Sequence, residues 1–238
     1  FFFKQKTAYE IPKRDWSSDV CSSDLGTAMK WHPSEIGKIM TNARAKGEML
    51  SETAKSHIRS IAKQNFYGYT TDLNSKYITK GRMQEDDSIE LLNAVRFTDY
   101  KKNTTRVETN ILTGECDIIL DDLIIDIKTS WSLETFPATA DEAYDAAYEW
   151  QGRAYMHIYD RPFFELIYCM VSTDPDGEHD LLSPWDNLSL HRVDHIDPAK
   201  RITVLRFERD FEAENQMIEK LRYASEYYAQ YYSQLQNK

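Results

Sequence analysis

The stretch Gly114 to Ser130, GECDIILDDLIIDIKTS, constrains this chain more than any other. β-Branched runs at Ile118-Ile119 and Ile124-Ile125 flank Asp121-Asp122, which reads as strand, two-residue turn, strand. A turn centred there pairs Leu120 with Leu123, Ile119 with Ile124, Ile118 with Ile125 and Asp117 with Asp126. Side chains alternate along a strand, so Ile124, Asp126 and Lys128 share one face of the second strand, and Ile119 and Asp117 the matching face of the first. Two carboxylates and one ammonium are expected to converge.

Opposed β-carbons lie roughly 5 Å apart, and like charges facing each other destabilise a sheet, so one carboxyl of an empty pair should bind its proton more tightly. A divalent cation relieves that conflict. Hard oxygen ligands suit Mg²⁺ or Mn²⁺, and a neighbouring lysine can orient water or offset charge on a phosphate. The competing reading is a surface hairpin whose charges are merely solvated, and Asp-Asp is a weaker turn than Asn-Gly or Asp-Gly.

Upstream, a helix is predicted from about Ser75 to Val95. On it Ile78, Glu85, Ile89 and Leu92 form one stripe, with Asp86, Asp87 and Glu90 turned to solvent. A carboxylate aimed inward needs a partner. Downstream, a helix from about Ala140 to Tyr159 places Tyr144, Tyr148, Gln151 and Tyr155 on one stripe. Tyrosine at helical spacing reads equally as core.

These residues resemble the PD-(D/E)XK nuclease superfamily, in which an acidic residue on one strand is followed by Asp/Glu-x-Lys on the next. Asp117, and then Asp126, Ile127 and Lys128, fill that pattern; Cys116 stands where a proline often precedes the first acid. Gly81-Arg82-Met83-Gln84-Glu85 is similar to the Gly-x-x-x-Glu helix of the lambda-type phage exonucleases, and Gln151-Gly-Arg-Ala-Tyr155 to the Gln-x-x-x-Tyr helix of the RecB-like branch. The motifs follow in the family's order across about 75 residues. The resemblance implies a mixed central β-sheet flanked by helices, and hydrolysis of phosphodiester bonds at the ends of double-stranded DNA. Asp117, Asp126, the Ile127 carbonyl and Glu85 would hold Mg²⁺, Lys128 would position water, and Gln151 and Tyr155 would meet the DNA strand. It further implies a phage- or prophage-encoded protein acting in the bacterial cytoplasm beside a single-strand annealing protein. A PD-(D/E)XK endonuclease, of restriction or junction-resolving type, and a non-catalytic DNA-binding relative are the alternatives.

Phe1 to Leu25 looks like the translation of a sequencing adapter, with KQKTAYEI and DWSSDVCSSDL as its constant segments. It lacks the apolar stretch and cleavage site of a secretory signal. Residues 26–238 are expected to form one α/β domain. The segment holds four of the chain's 29 basic and four of its 39 acidic residues, so the balance of −10 is untouched by its removal. That acidity argues against non-specific coating of DNA, though not against local basic groups working with metal ions. Of three cysteines, only Cys116 and Cys169 fall outside the segment, too few for an iron–sulfur cluster and without a disulfide framework. No apolar run reaches membrane-spanning length.

Trp31 to Thr41 and Ser51 to Phe66 are predicted helices, with Ser34 as the cap of the first. Lys101, Lys102 and Arg106 form a basic run before the hairpin, either a phosphate grip or an ordinary charged turn. Strands are expected near Thr104 to Asn110, Phe163 to Val171 and Ile202 to Phe207. The final helix, from about Phe211 to Leu235, carries tyrosines at 223, 227, 228, 231 and 232, enough for packing on the domain and for self-association.

Overall fold

The computed structural model describes residues 29–70, 75–173 and 181–237; Phe1–Leu25 and His179 lie outside the described residues. Helix α1 (Pro33–Ile39) starts on Pro33, because a proline needs no N–H partner at the first helical position and its φ is already suitable. The cap therefore falls at His32 rather than Ser34, and Glu35 accepts the His32 N–H at 2.8 Å. In α2 (Glu52–Tyr67), Ser51 Oγ accepts from Ala54 N at 3.0 Å, and Gly68 closes the helix at φ 66°.

The helix expected from Ser75 to Val95 is two, α3 (Lys76–Met83) and α4 (Glu85–Arg96), broken at Gln84 with φ −111° and ψ 23°. Gln84 Nε2 donates to the Ser172 carbonyl and Ser88 Oγ to the Gln84 carbonyl at 3.0 Å, while the main-chain bonds Gln84 N to Lys80 O at 2.9 Å and Ser88 N to Gln84 O at 3.1 Å carry across the break. The acidic run Glu85-Asp86-Asp87 then suits a new helix N-terminus.

A short ribbon follows, with β1 (Val107–Glu108) antiparallel to β2 (Thr113–Gly114). Beyond it the main sheet has the order β3 (Ile118–Ile119), β4 (Leu123–Thr129), β5 (Phe163–Cys169), β6 (Ile202–Glu208), paired antiparallel, parallel and antiparallel. The hairpin takes the expected register, Ile118 opposite Ile125 and Ile119 opposite Ile124. The parallel step from β4 to β5 runs through α5 (Ala140–Ala143) and α6 (Ala146–Tyr159), which replace the single helix expected from Ala140. Asp145 interrupts it by capping α6, its Oδ1 accepting from Ala147 N at 2.7 Å, and Tyr144 is left outside the stripe.

Alternation along β4 sorts the core. Ile124, with Phe164, Leu166 and Leu205, packs toward α6, α1, α2 and the last helix, α7 (Phe211–Gln236). Ile125 and Ile127, with Ile118 and Ile167, pack toward Ile89, Leu91 and Leu92 of α4. Helix α6 lies close on β5: a β-carbon at Gly152 would stand 2.1 Å from the Phe164 ring, so only glycine allows the approach. The tyrosines of α7 turn largely to α2. Tyr227 accepts from Arg59 at 2.7 Å, Tyr228 from Asn65 at 2.9 Å, and Tyr232 meets Phe66 at 5.7 Å. Among the described residues no helix is long and apolar enough to cross a membrane.

Candidate active site

Asp126 and Lys128 follow Ile124 on the face of β4 that looks at α6, and the helix supplies their surroundings. Asp126 is 3 % exposed; its Oδ1 accepts from Gln151 Nε2 at 3.1 Å, and its Oδ2 faces Lys128 Nζ at 2.5 Å. The ammonium lies 5.1 Å from the centre of the Tyr148 ring. Burial alone would loosen the lysine proton, but the charges of Asp126 and Asp117 outweigh it and hold the group at about 12.

The β3–β4 ladder stops at Ile118, so Asp117 is not a ladder partner of Asp126. Its carboxylate instead takes over a main-chain role, Oδ2 accepting from Ile127 N at 2.6 Å, while its own carbonyl accepts from Asn103 N at 2.7 Å. Burial first, and then the charge of Asp126, push the Asp117 carboxyl up to about 7. Glu85 adds to that push, so Asp117 feels a carboxylate from β4 and another from α4. As the side chains stand, Glu85 is drawn to Lys102 at 2.8 Å, and among the described residues no three His, Cys, Asp or Glu side chains close into one coordination shell.

Gln151 and Tyr155, expected at the DNA strand, are both 6 % exposed. The Tyr155 hydroxyl donates to the Glu115 carbonyl at 3.0 Å, and burial pushes its proton affinity far up. Both side chains support the carboxylates from below, one through Asp126 and the other through the segment that carries Asp117. Of the basic run, Lys102 reaches the site, whereas Lys101 pairs with Asp99 at 2.6 Å and Arg106 stands 3.9 Å from Glu115.

Two further supports lie outside the sequence motifs. Asn103 donates to the Cys116 carbonyl at 3.0 Å, and the single Tyr159 hydroxyl proton is shared between the carbonyls of Thr105 at 3.0 Å and Gly114 at 3.2 Å, so together they pin the approach to Asp117. Tyr159 stands four residues beyond Tyr155 on α6, and that helical spacing is the signal that could have marked it. Asn103 offers no signal, since its partners are main-chain atoms. Cys116 and Cys169 are buried and free, and burial lifts both thiols to about 12. A cavity of about 330 Å³ lies elsewhere, between α4 and the 194–201 segment.

No protein-family model matches the chain, and no curated protein matches it. Solved structures do. A phage-related exonuclease from Haemophilus somnus 129PT is 32 % identical, with a TM-score of 0.81 over 87 % of this chain and 97 % of that one. An alkaline exonuclease, LHK-Exo, from Laribacter hongkongensis shares the fold at 13 % identity, with a TM-score of 0.64 over 89 % of this chain and 93 % of that one. Its complex with dAMP aligns with a TM-score of 0.61 over 87 % and 90 % of the two chains, again at 13 % identity. With its mixed sheet, its Asp117 and Asp126-Ile127-Lys128 motif and a relative of this identity and coverage, the chain belongs to the phage-related exonucleases, in the lambda-type branch of the PD-(D/E)XK nucleases.

Proposed function

We propose that the protein is a metal-dependent exonuclease that hydrolyses phosphodiester bonds from the ends of double-stranded DNA. The observation that carries this reading is the excess of negative charge at the end of β4: Asp117 and Asp126 share one ammonium, and Glu85 adds its charge to theirs. An oxygen-rich donor set of that kind fits a hard divalent cation, Mg²⁺ or Mn²⁺, held by Asp117, Asp126, the Ile127 carbonyl and Glu85. When bound, such a cation supplies positive charge to the phosphate and a more acidic water.

Lys128 holds its proton at about 12, so its part is electrostatic, opposing the negative charge that grows on the phosphate. Lys102 keeps Glu85 near the pair until a cation competes for it. Gln151 orients Asp126, and Tyr155 fixes the Glu115 segment leading to Asp117, which makes both positioning residues in this reading. Work on DNA ends fits a phage recombination role in the bacterial cytoplasm beside a single-strand annealing protein.

The test is digestion of end-labelled linear duplex beside a covalently closed circle of the same sequence, with Mg²⁺ and with chelator. Loss of label from the linear DNA alone, in Mg²⁺ alone, is the expected result. Cleavage of the circle would point to an endonuclease.

A further inference from the structure

The end of β4 runs on into a cluster that the carboxylates do not use. The Trp131 ring lies 5.2 Å from Tyr77 and 5.2 Å from His191, both edge-on, and the Lys76 ammonium stands 4.6 Å from its centre. Its main chain is fixed from beneath. The fully buried Lys80 donates to the carbonyls of Ser130 at 2.7 Å, Trp131 at 3.0 Å and Val171 at 3.0 Å, and Thr173 Oγ1 donates to the Trp131 carbonyl at 3.0 Å.

Above this rigid base Tyr77 keeps 56 % of its surface exposed, and Trp131 is half-buried beside it. Folding gains little from an aromatic ring left in water, whereas a fixed support under an open aromatic pair is a preorganised surface. Helix α3, which supplies Tyr77 and Lys76, also carries Arg82 and has no acidic residue, against a net charge of −10 for the chain. One of its cations, Lys76, is steadied by Asp186 at 3.5 Å. Trp131 stands three positions beyond Lys128, at most about 11 Å of chain, so the rings lie within the span of a few nucleotides from the carboxylates.

We propose that Tyr77 and Trp131 form a stacking platform for unpaired nucleobases of a DNA strand at the carboxylate site, with Lys76 beside the strand's phosphates. This rests on the nuclease reading above. Aromatic faces accept every base and cations follow the backbone, so the platform binds single strands with little regard to sequence.

The test is the affinity of the full chain, in chelator, for a fluorescent ten-nucleotide thymidine strand and for an abasic strand of equal length. Tyr77→Ala weakens the thymidine strand about tenfold and leaves the abasic strand unchanged, while Tyr77→Phe restores binding. Lys76→Gln weakens both strands alike and lowers the salt dependence by about one ion. Equal affinity of parent and Tyr77→Ala for the thymidine strand overturns the platform. So does a Tyr77→Ala change in molecular mass in solution without a change in strand affinity, which would assign the rings to a second copy of the chain. Duplex digestion by the parent runs in parallel. No digestion together with Tyr77-dependent strand binding removes the nuclease reading and leaves the platform; digestion with Tyr77-independent binding removes the platform alone.

Discussion

Two buried carboxylates stand one position apart in the sheet, and their surroundings differ in sign. Glu165 on β5, opposite Ile125, meets two guanidinium groups, Arg96 at 2.7 Å and Arg206 at 3.2 Å. Asp126 on β4, opposite Leu166, meets one ammonium and senses a second carboxylate, Asp117. The first cluster has cations to spare and needs no ligand to be complete. The second has an excess carboxylate, which burial makes costly and which a cation can relieve. A buried charge is thus read from the balance around it rather than from its burial.

The largest effect separates the two clusters by activity. Asp126→Asn removes both a cation ligand and the repulsion, so cleavage should fall on the order of a thousandfold while stability in chelator matches or exceeds the parent. Lys128→Ala should also abolish cleavage but lower stability, because both carboxylates then lack a counter-charge. Mg²⁺ should raise the melting temperature of the parent and not of Asp126→Asn. Thermal melts in chelator and then in Mg²⁺ read all of this, and an Asp126→Asn protein less stable than the parent in chelator breaks the comparison.

Glu165→Gln should do the reverse. It leaves two arginines facing a neutral amide and should cost about 2–3 kcal/mol of stability, at the low end for a broken buried pair because Arg206 is half-exposed. Cleavage per folded molecule and the gain from Mg²⁺ should stay as in the parent. Denaturant melts beside active-site titration check it; a variant that loses cleavage while staying folded would make Glu165 part of the site.

The pH dependence in chelator sharpens the contrast. With its folded value raised from 3.8 to about 7, Asp117 keeps its proton in the native state after the unfolded chain has released it. Its contribution is therefore fully present below about 4 and lost as pH rises to about 7, with a ceiling of about 4 kcal/mol. His57 works oppositely in the same window: burial lowers it from 6.5 to about 4, so it destabilises as pH falls. The difference in stability between the parent and Asp117→Asn isolates the carboxyl, and a difference that does not change between pH 4 and pH 7 would show that Asp117 ionises normally.

The smallest effect concerns the support under the site. Tyr155→Phe leaves the Glu115 carbonyl without its donor and should cost about 1 kcal/mol, with cleavage reduced only in part. Unchanged stability with a large loss of cleavage would place Tyr155 at the DNA strand. Spacing alone does not separate the two roles, because a tyrosine stripe repeats in the same way whether it meets substrate or main chain.

What the chain's order of residues determined by itself was local. A two-residue turn and period-2 alternation have one register that buries the isoleucines, so the pairing of Ile118 with Ile125 and the common face of Asp126 and Lys128 are legible in the residues alone. Tertiary contacts decided the rest. Gln84 leaves the helical backbone conformation where the Ser172 carbonyl, far along the chain, accepts its side-chain amide, and Asp117 leaves the strand ladder where Ile127 N–H is offered to its side chain. Lys80 shows the limit most clearly. In the sequence it is one more polar residue of a basic helix, whereas in the fold it is fully buried and solvated by three carbonyls from the ends of two strands. Those acceptors are main-chain atoms, present at every residue and marked by none, so only the packing of α3 onto β4 and β5 could select them.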